Sequence, residues 1–379
     1  MARCSNLLRG FTLSAVSALF ALSANALTVI DGAQVEARIL AGAPPDSAAL
    51  RVDPNTASSA FSGVVSINIR YDGKSFICSG ALVGVRQVVS AGHCVDTDGN
   101  GHVIDVSQSF AASGKDVRVI FNNSNVVGSP DRAIVTASAV SMNPNYAGFG
   151  NCPVGVVGFC VNDDISVITL SQDAPASAKI YSLFAGGIGS GTQIVMAGYG
   201  TSGDGINGFN ISPNFRIKRT GGNVVDIFEG DDENYTGTDA FGFIQGGRNE
   251  VYYADFDGVN SLGVNVDSDC TFFGVCTAQL ANSIEANIGG GDSGGPSFIQ
   301  YGDELLLVAN NTFGYSGFGE ENSGAFGSLF GGVLLGAYVP YLIVATGGAI
   351  GVVPEPGSVA LLAVAMLGLV AGRRRVWKA

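Results

Sequence analysis

Gly291-Asp292-Ser293-Gly294-Gly295-Pro296 sets one serine in a glycine-rich turn. Glycine opens φ values closed to other residues and lets a second group come close, so N–H groups of such a turn can converge beside the serine hydroxyl. That is an anion cradle of the kind acyl transfer needs where a carbonyl oxygen becomes an oxyanion. Two more motifs lie upstream. Ser90-Ala91-Gly92-His93-Cys94 follows an apolar run (Ala81-Leu82-Val83-Gly84-Val85, then Val88-Val89), and Asn162-Asp163-Asp164 leads into the alternating stretch Ile165-Ser166-Val167-Ile168. The order along the chain is His, Asp, Ser.

A serine hydroxyl is a poor nucleophile at neutral pH. It needs a neutral imidazole to take its proton, and the imidazole needs a carboxylate to fix its tautomer and stabilise its charged form. Only two histidines are present. His93 sits where a strand runs into a loop bounded by a cysteine; His102, in a polar Gly/Asn/Asp loop, reads as solvated. For the carboxylate, Asp163 and Asp164 compete.

With its local contexts, this order resembles the chymotrypsin-like (trypsin family) serine peptidases over roughly Val52 to Ala345. The resemblance implies a hydrolase that cleaves peptide bonds of protein or peptide substrates through an acyl-enzyme, with His93, Asp164 and Ser293 as its catalytic residues. Asp164 is preferred because it directly precedes the apolar strand, as in the family's Asp-Ile-Ala-Leu-Leu-like pattern; Asp163 is then expected to be a solvated loop carboxylate. The family likewise implies an oxyanion hole from the N–H groups of Gly291 and Ser293. Asp292 would accept a salt bridge from an N-terminus made by zymogen cleavage. Two cut sites are open, Arg38 before Ile39-Leu40-Ala41-Gly42 and Arg51 before Val52-Asp53-Pro54-Asn55, as is an enzyme that needs no cleavage.

Composition agrees with an all-β chain. Glycine makes up 55 of 379 residues, about twice its average share. Short strands rich in Val, Ile, Phe and Tyr recur between Gly/Asn/Asp/Ser turns, as in Val64-Val65-Ser66-Ile67-Asn68-Ile69 and Val117-Arg118-Val119-Ile120-Phe121. Two packed antiparallel six-stranded-type β-barrels are expected, with the cleft between them holding His93 and Asp164 from the first and Ser293 from the second. The acidic, Gly-rich tract from Asp231 to Asp269 has no obvious counterpart in the family and reads as surface loops with an extra hairpin around Val251-Tyr252-Tyr253-Ala254-Asp255-Phe256.

Of seven cysteines, Cys4 falls in a leader. The resemblance pairs Cys78 with Cys94; Cys152 with Cys160 and Cys270 with Cys276 then pair locally, and three bridges imply an oxidising compartment. Residues 1–26 read as a signal peptide: Arg3 and Arg9, an apolar run from Phe11 to Leu22, then Ala24-Asn25-Ala26. Residues 27–51 are a candidate propeptide, 52–345 the peptidase domain and 346–379 a linker and tail. That tail, Val353-Pro354-Glu355-Pro356-Gly357-Ser358, an aliphatic run to Val370 and Arg373-Arg374-Arg375, resembles the PEP-CTERM sorting signal of Gram-negative bacteria. The resemblance implies processing by signal peptidase and an exosortase-type transpeptidase, transient inner-membrane contact through the C-terminal helix, and a periplasmic, cell-surface or extracellular-matrix destination.

A net charge of −13 with few Lys or Arg argues against nucleic-acid binding. No cofactor is expected. Asp96-Thr97-Asp98-Gly99-Asn100-Gly101 has the oxygen spacing of a calcium loop, but its twelfth position is Ser107 rather than Glu, so calcium stands against a plain turn. By the resemblance, Asn287 lies at the floor of the primary specificity pocket, and Thr312-Phe313-Gly314 is similar to the Ser-Trp-Gly strand that pairs with substrate; Gly289 replaces a family cysteine. The other readings are a catalytically weak or inactive protease-fold protein that binds a surface or matrix, and a lipase or esterase, which would carry Gly-x-Ser-x-Gly and place its acid after the serine.

Overall fold

Asp72 and Gly73, both at positive φ, make the tight turn that starts the first barrel. They join strands β1 (Val64–Tyr71) and β2 (Lys74–Leu82). Next come β3 (Gln87–Ser90), β4 (Asp116–Asn122), β5 (Arg132–Met142) and β6 (Ser166–Leu170). All pair antiparallel in the order β2-β1-β4-β5-β6-β3, and β3 pairs back with β2, so the sheet closes on itself. Strand periodicity divides the residues: Val65, Ile67 and Ile69 fill the barrel with Val119, Phe121 and Ile168, while Val64, Ile77, Ala81 and Val167 face the second half of the molecule.

The computed structural model describes residues 28–29, 39–122, 132–318, 320 and 322–354. The signal peptide read over 1–26, Arg38 and the sorting tail from Glu355 onward lie outside them. Among the described residues no helix is long and apolar enough to cross a membrane.

The second half is built from β7 (Leu183–Phe184), β8 (Gln193–Gly198), β9 (Arg219–Val224), β10 (Ile227–Gly230), β11 (Asn249–Asp255), β12 (Pro296–Tyr301), β13 (Glu304–Tyr315), β14 (Leu329–Leu334) and β15 (Val352–Val353). Its main path is β9-β8-β12-β13-β14-β11-β10. The two end strands are consecutive in sequence, separated only by Val225 and Asp226. The sheet thus curls until its edges meet in one bent strand. Ile194, Met196, Tyr252, Val308 and Phe330 form its core, and Tyr181, Tyr199, Phe298 and Leu307 pack against the first barrel. The chain is all-β, with the architecture of a chymotrypsin-like fold.

The packed body extends past 52–345 at both ends. Ile39, Leu40 and Ala41 are fully buried, so part of the candidate propeptide belongs to the second barrel. At the other end Ile350 is buried and β15 pairs parallel with β7. All three expected disulfides are formed: Cys78–Cys94, Cys152–Cys160 and Cys270–Cys276.

Candidate functional site

Strands β3 and β6 run antiparallel with Ser90 opposite Ser166. His93, just past the end of β3, and Asp164, just before β6, therefore emerge at the same end of the first barrel. The His93 Nδ1–H donates to Asp164 Oδ2 at 2.6 Å, and the His93 backbone N–H donates to Oδ1 at 2.6 Å. Asp164 is fully buried. Its carbonyl accepts from Asn310 Nδ2 at 3.0 Å, a side chain of the second barrel. Holding both carboxylate oxygens leaves the ring one orientation, with Nε2 facing away from the pair. That Nε2 is buried and has no protein hydrogen-bond partner.

Ser293 comes from the turn before β12. Ser79 of β2 grips that turn twice: its N–H donates to the Ser293 carbonyl at 2.9 Å, and its hydroxyl donates to the Gly291 carbonyl at 2.9 Å. The Ser293 carbonyl also lies 3.7 Å from Cys94 Sγ, on the residue after His93. Gly294 stands at φ +75°, and a Cβ there would collide with Ser90 Oγ and Ala91 N, so only glycine lets the serine turn dock on the histidine loop. Among the described residues, the N–H groups of Gly291 and Ser293 have no protein acceptor.

Asp163 departs from the expectation of a solvated carboxylate. It is buried, at φ +62°, with Asn143 Nδ2 donating to Oδ1 at 2.8 Å and its own N–H donating to the Tyr338 hydroxyl at 3.0 Å. Burial, with Glu233, Glu250 and Asp232 nearby, pushes its carboxyl up to about 9. Among the described residues it makes no hydrogen bond to His93. A carboxyl neutral in the folded protein but ionised in the unfolded chain contributes stability that is full below about pH 4 and lost as pH rises toward 9. Asp163→Asn is expected to shrink the drop in Tm between pH 5 and pH 8, as measured by calorimetry, and an unchanged drop would refute the assignment.

Asp292 is fully buried and accepts from Gly200 N–H at 2.6 Å and Gly289 N–H at 3.0 Å. Burial still pushes it up to about 7, against those two N–H groups and Arg219. Leu40 N–H donates to the Asn287 carbonyl at 3.0 Å, so the Ile39 segment threads beside the pocket floor. Arg51, the other candidate cut site, is buried: it pairs with Asp46 at 2.5 Å and donates to the carbonyls of Asn282, Ile284 and Glu285.

At the pocket, the buried Asn287 carboxamide donates to Gly324 O at 3.4 Å and accepts from Ile288 N–H at 2.7 Å. The Thr201 side chain, with the Phe209 ring behind it, fills the space beside Gly289 that a Cβ would occupy. Glu285 turns away, its carboxylate accepting from Leu280 N–H at 3.0 Å. Residues Thr312, Phe313 and Gly314 pair with β14 on one side, with a register shift at Thr312, while β12 stops pairing at Asn310 on the other. Among the described residues no strand pairs with their outer edge. The Asp96 carboxylate accepts from the N–H groups of Asp98, Gly99 and Gly101, and Asp98 pairs with His102 at 2.6 Å, as in a plain Asx-type turn.

Three positions escaped sequence reading. Ser79 and Asn310 are ordinary strand residues until the barrels dock. Phe149 stacks edge-on to His93 with centroids 5.1 Å apart, backed at 5.4 Å by Phe159, which lies in the loop closed by Cys152–Cys160.

Residues 53–213 match the Trypsin family model, and residues 352–375 match the PEP-CTERM protein-sorting motif. Over that first stretch the chain is similar to the trypsin family, and the sorting motif indicates export with surface or extracellular localisation. The first match includes His93 and Asp164 and ends before Ser293. No curated protein matches the chain.

Proposed function

We propose that the protein is an exported serine endopeptidase. The observation that carries this reading is the buried His93–Asp164 pair, whose free Nε2 belongs to the loop on which the Ser293 turn docks. In this reading His93 Nε2 takes the Ser293 proton as the hydroxyl attacks the substrate carbonyl. Asp164 stabilises the imidazolium, and the N–H groups of Gly291 and Ser293 receive the oxyanion. His93 then protonates the leaving amine, and a water, deprotonated the same way, releases the acyl group. The substrate backbone would lie along Thr312-Phe313-Gly314 as an added strand. The test is labelling by a fluorophosphonate probe: modification of Ser293 in the wild type, absent in Ser293→Ala, is expected. An unlabelled, correctly processed wild type would favour the matrix-binding reading.

Specificity follows from the pocket. Asn287 offers no charge to offset the desolvation of a buried ammonium or guanidinium, and Glu285 points elsewhere. Matched peptides with Arg, Phe, Leu or Ala before the cut bond should show kcat/KM higher for the uncharged residues. A preference for Arg would overturn this.

Zymogen cleavage in this reading falls after Arg38, freeing Ile39 as the ammonium partner of Asp292. The support is that Ile39-Leu40-Ala41-Gly42 already packs beside Asn287, whereas Arg51 is enclosed by its partners. The sorting tail would hold the enzyme at the inner membrane until an exosortase-type enzyme processes it, releasing it to the periplasm, cell surface or matrix.

A further inference from the structure

The acidic tract that the catalytic reading leaves unused closes on itself. Asp226 sits in the break between β9 and β10, Asp255 ends β11, Asp257 follows it, and Asp267 caps α1 (Ser268–Phe273), whose first turn carries Asp269. Carboxylate oxygens of Asp226, Asp255 and Asp269 lie within 4.8 Å of one another, and so do those of Asp255, Asp257 and Asp267. Asp255 is common to both groups. Four of the five side chains are buried, Asp269 to 1% exposure, and Asp267 is half-buried.

The hydrogen bonding of this cluster is incomplete. Asp255 Oδ2 accepts from the N–H groups of Ser268 and Asp269, Asp226 Oδ1 from the Thr277 hydroxyl, and Asp267 Oδ1 from Cys270 N–H. Both oxygens of Asp269 and Oδ1 of Asp257 are buried with no donor at all. No ion pair between described residues joins a lysine or arginine to any of the five. Packing this much negative charge away from water is unfavourable unless something positive enters.

Protons could supply part of that charge. A proton on Asp269 and another on Asp257 would each donate one hydrogen bond, however, and would leave the second oxygen of Asp269 buried without a donor. A metal ion accepts several such oxygens at once. The donor set is all oxygen, with no His or Cys, and is anionic and spread over three segments, which suits a hard cation with a large, flexible coordination shell.

We propose that Asp226, Asp255, Asp257, Asp267 and Asp269 form a calcium-binding centre that ties the segment from Phe256 to Thr277 to the second barrel. The centre adjoins the proposed specificity pocket: Ser268 Oγ donates to Gly327 O at 2.8 Å, and Asn223 Nδ2 bridges the carbonyls of Asp255 and Ala286, the neighbour of Asn287. Calcium would then brace the pocket wall from behind.

The test needs no enzymatic activity and uses the full chain as Ser293→Ala, so that self-cleavage cannot intervene. Calcium titrated into the EDTA-stripped protein should bind by calorimetry, and a hundredfold excess over Kd should raise Tm by about 5–10 °C. Asp269→Asn and Asp257→Asn should each lose most of that shift. In EGTA both should still fold and melt close to the parent, because asparagine keeps the shape of the aspartate it replaces. Asp98→Asn, in the other acidic loop, should keep the shift. Absence of calcium binding to the parent overturns the proposal without any variant. So does a shift that survives both Asp269→Asn and Asp257→Asn, or one that disappears with Asp98→Asn.

Discussion

Exchanging Ser293 for alanine should lower kcat by about 10⁶, and His93→Ala should do nearly as much, because in the proposed mechanism the two act as one proton-transfer unit. Their losses should not add: the double variant should be no slower than either single one. Asp164→Asn should keep the ring in place but favour the wrong tautomer, at a cost of about 10⁴ in kcat. Asp163→Asn is the internal contrast. Its carboxyl, pushed up to about 9 by burial, accepts from Asn143 rather than from His93, so kcat should stay within a few-fold of wild type. Single-turnover kinetics on one peptide substrate would check all four. Near-full activity in Asp164→Asn, with loss in Asp163→Asn, would reverse the assignment of the orienting carboxylate.

The two arginines that could mark the mature N-terminus should fail in different ways. Arg51→Ala leaves Asp46 buried without its ionic partner and the carbonyls of Asn282 and Glu285 without their donor. Breaking such a buried pair costs about 3–5 kcal/mol, so the variant should unfold at clearly lower denaturant concentration or fail to accumulate. Arg38→Gln should fold normally and keep its propeptide. In that variant Asp292 has no ammonium partner, and the oxyanion turn it holds should work less well, lowering kcat by about 10²–10³, the range seen when one oxyanion donor is lost. N-terminal sequencing of active wild-type enzyme should read Ile39-Leu40-Ala41-Gly42. A sequence beginning at Val52 would sink both predictions together.

What makes these outcomes separable is the way the two barrels meet. The catalytic candidates come from loops at the ends of β3 and β6 and before β12, and side chains of each half fasten the other: Ser79 holds the Ser293 turn, Asn310 holds the Asp164 carbonyl. Destabilising either barrel should therefore reduce activity as well as Tm. The Asp163→Asn and calcium experiments avoid that ambiguity by reading stability directly.

Amino-acid order alone determined everything that rests on local chemistry. The period-2 alternation in Val64–Ile69 announces a strand because successive side chains take opposite faces, and the structure puts Val65, Ile67 and Ile69 inside the barrel. The local pairings Cys152–Cys160 and Cys270–Cys276, offered by the sequence as what remained beside Cys78–Cys94, are formed in the structure. The glycines around Ser293, and the Asp164 that opens a strand, are likewise visible within a few residues. Tertiary structure alone decided what depends on residues far apart in the chain. Asp163 looks solvated until Asn143 and Tyr338 close over it, 20 and 175 positions away. Arg51 looks like a cut site until Asp46 and the carbonyls near Ile284 surround it. The acidic tract looks like a soluble loop until the β-sheet brings Asp226, Asp255 and Asp269 within one ion's reach. Burial and the convergence of charges are sums over long-range contacts, and they leave no periodic trace in the local sequence.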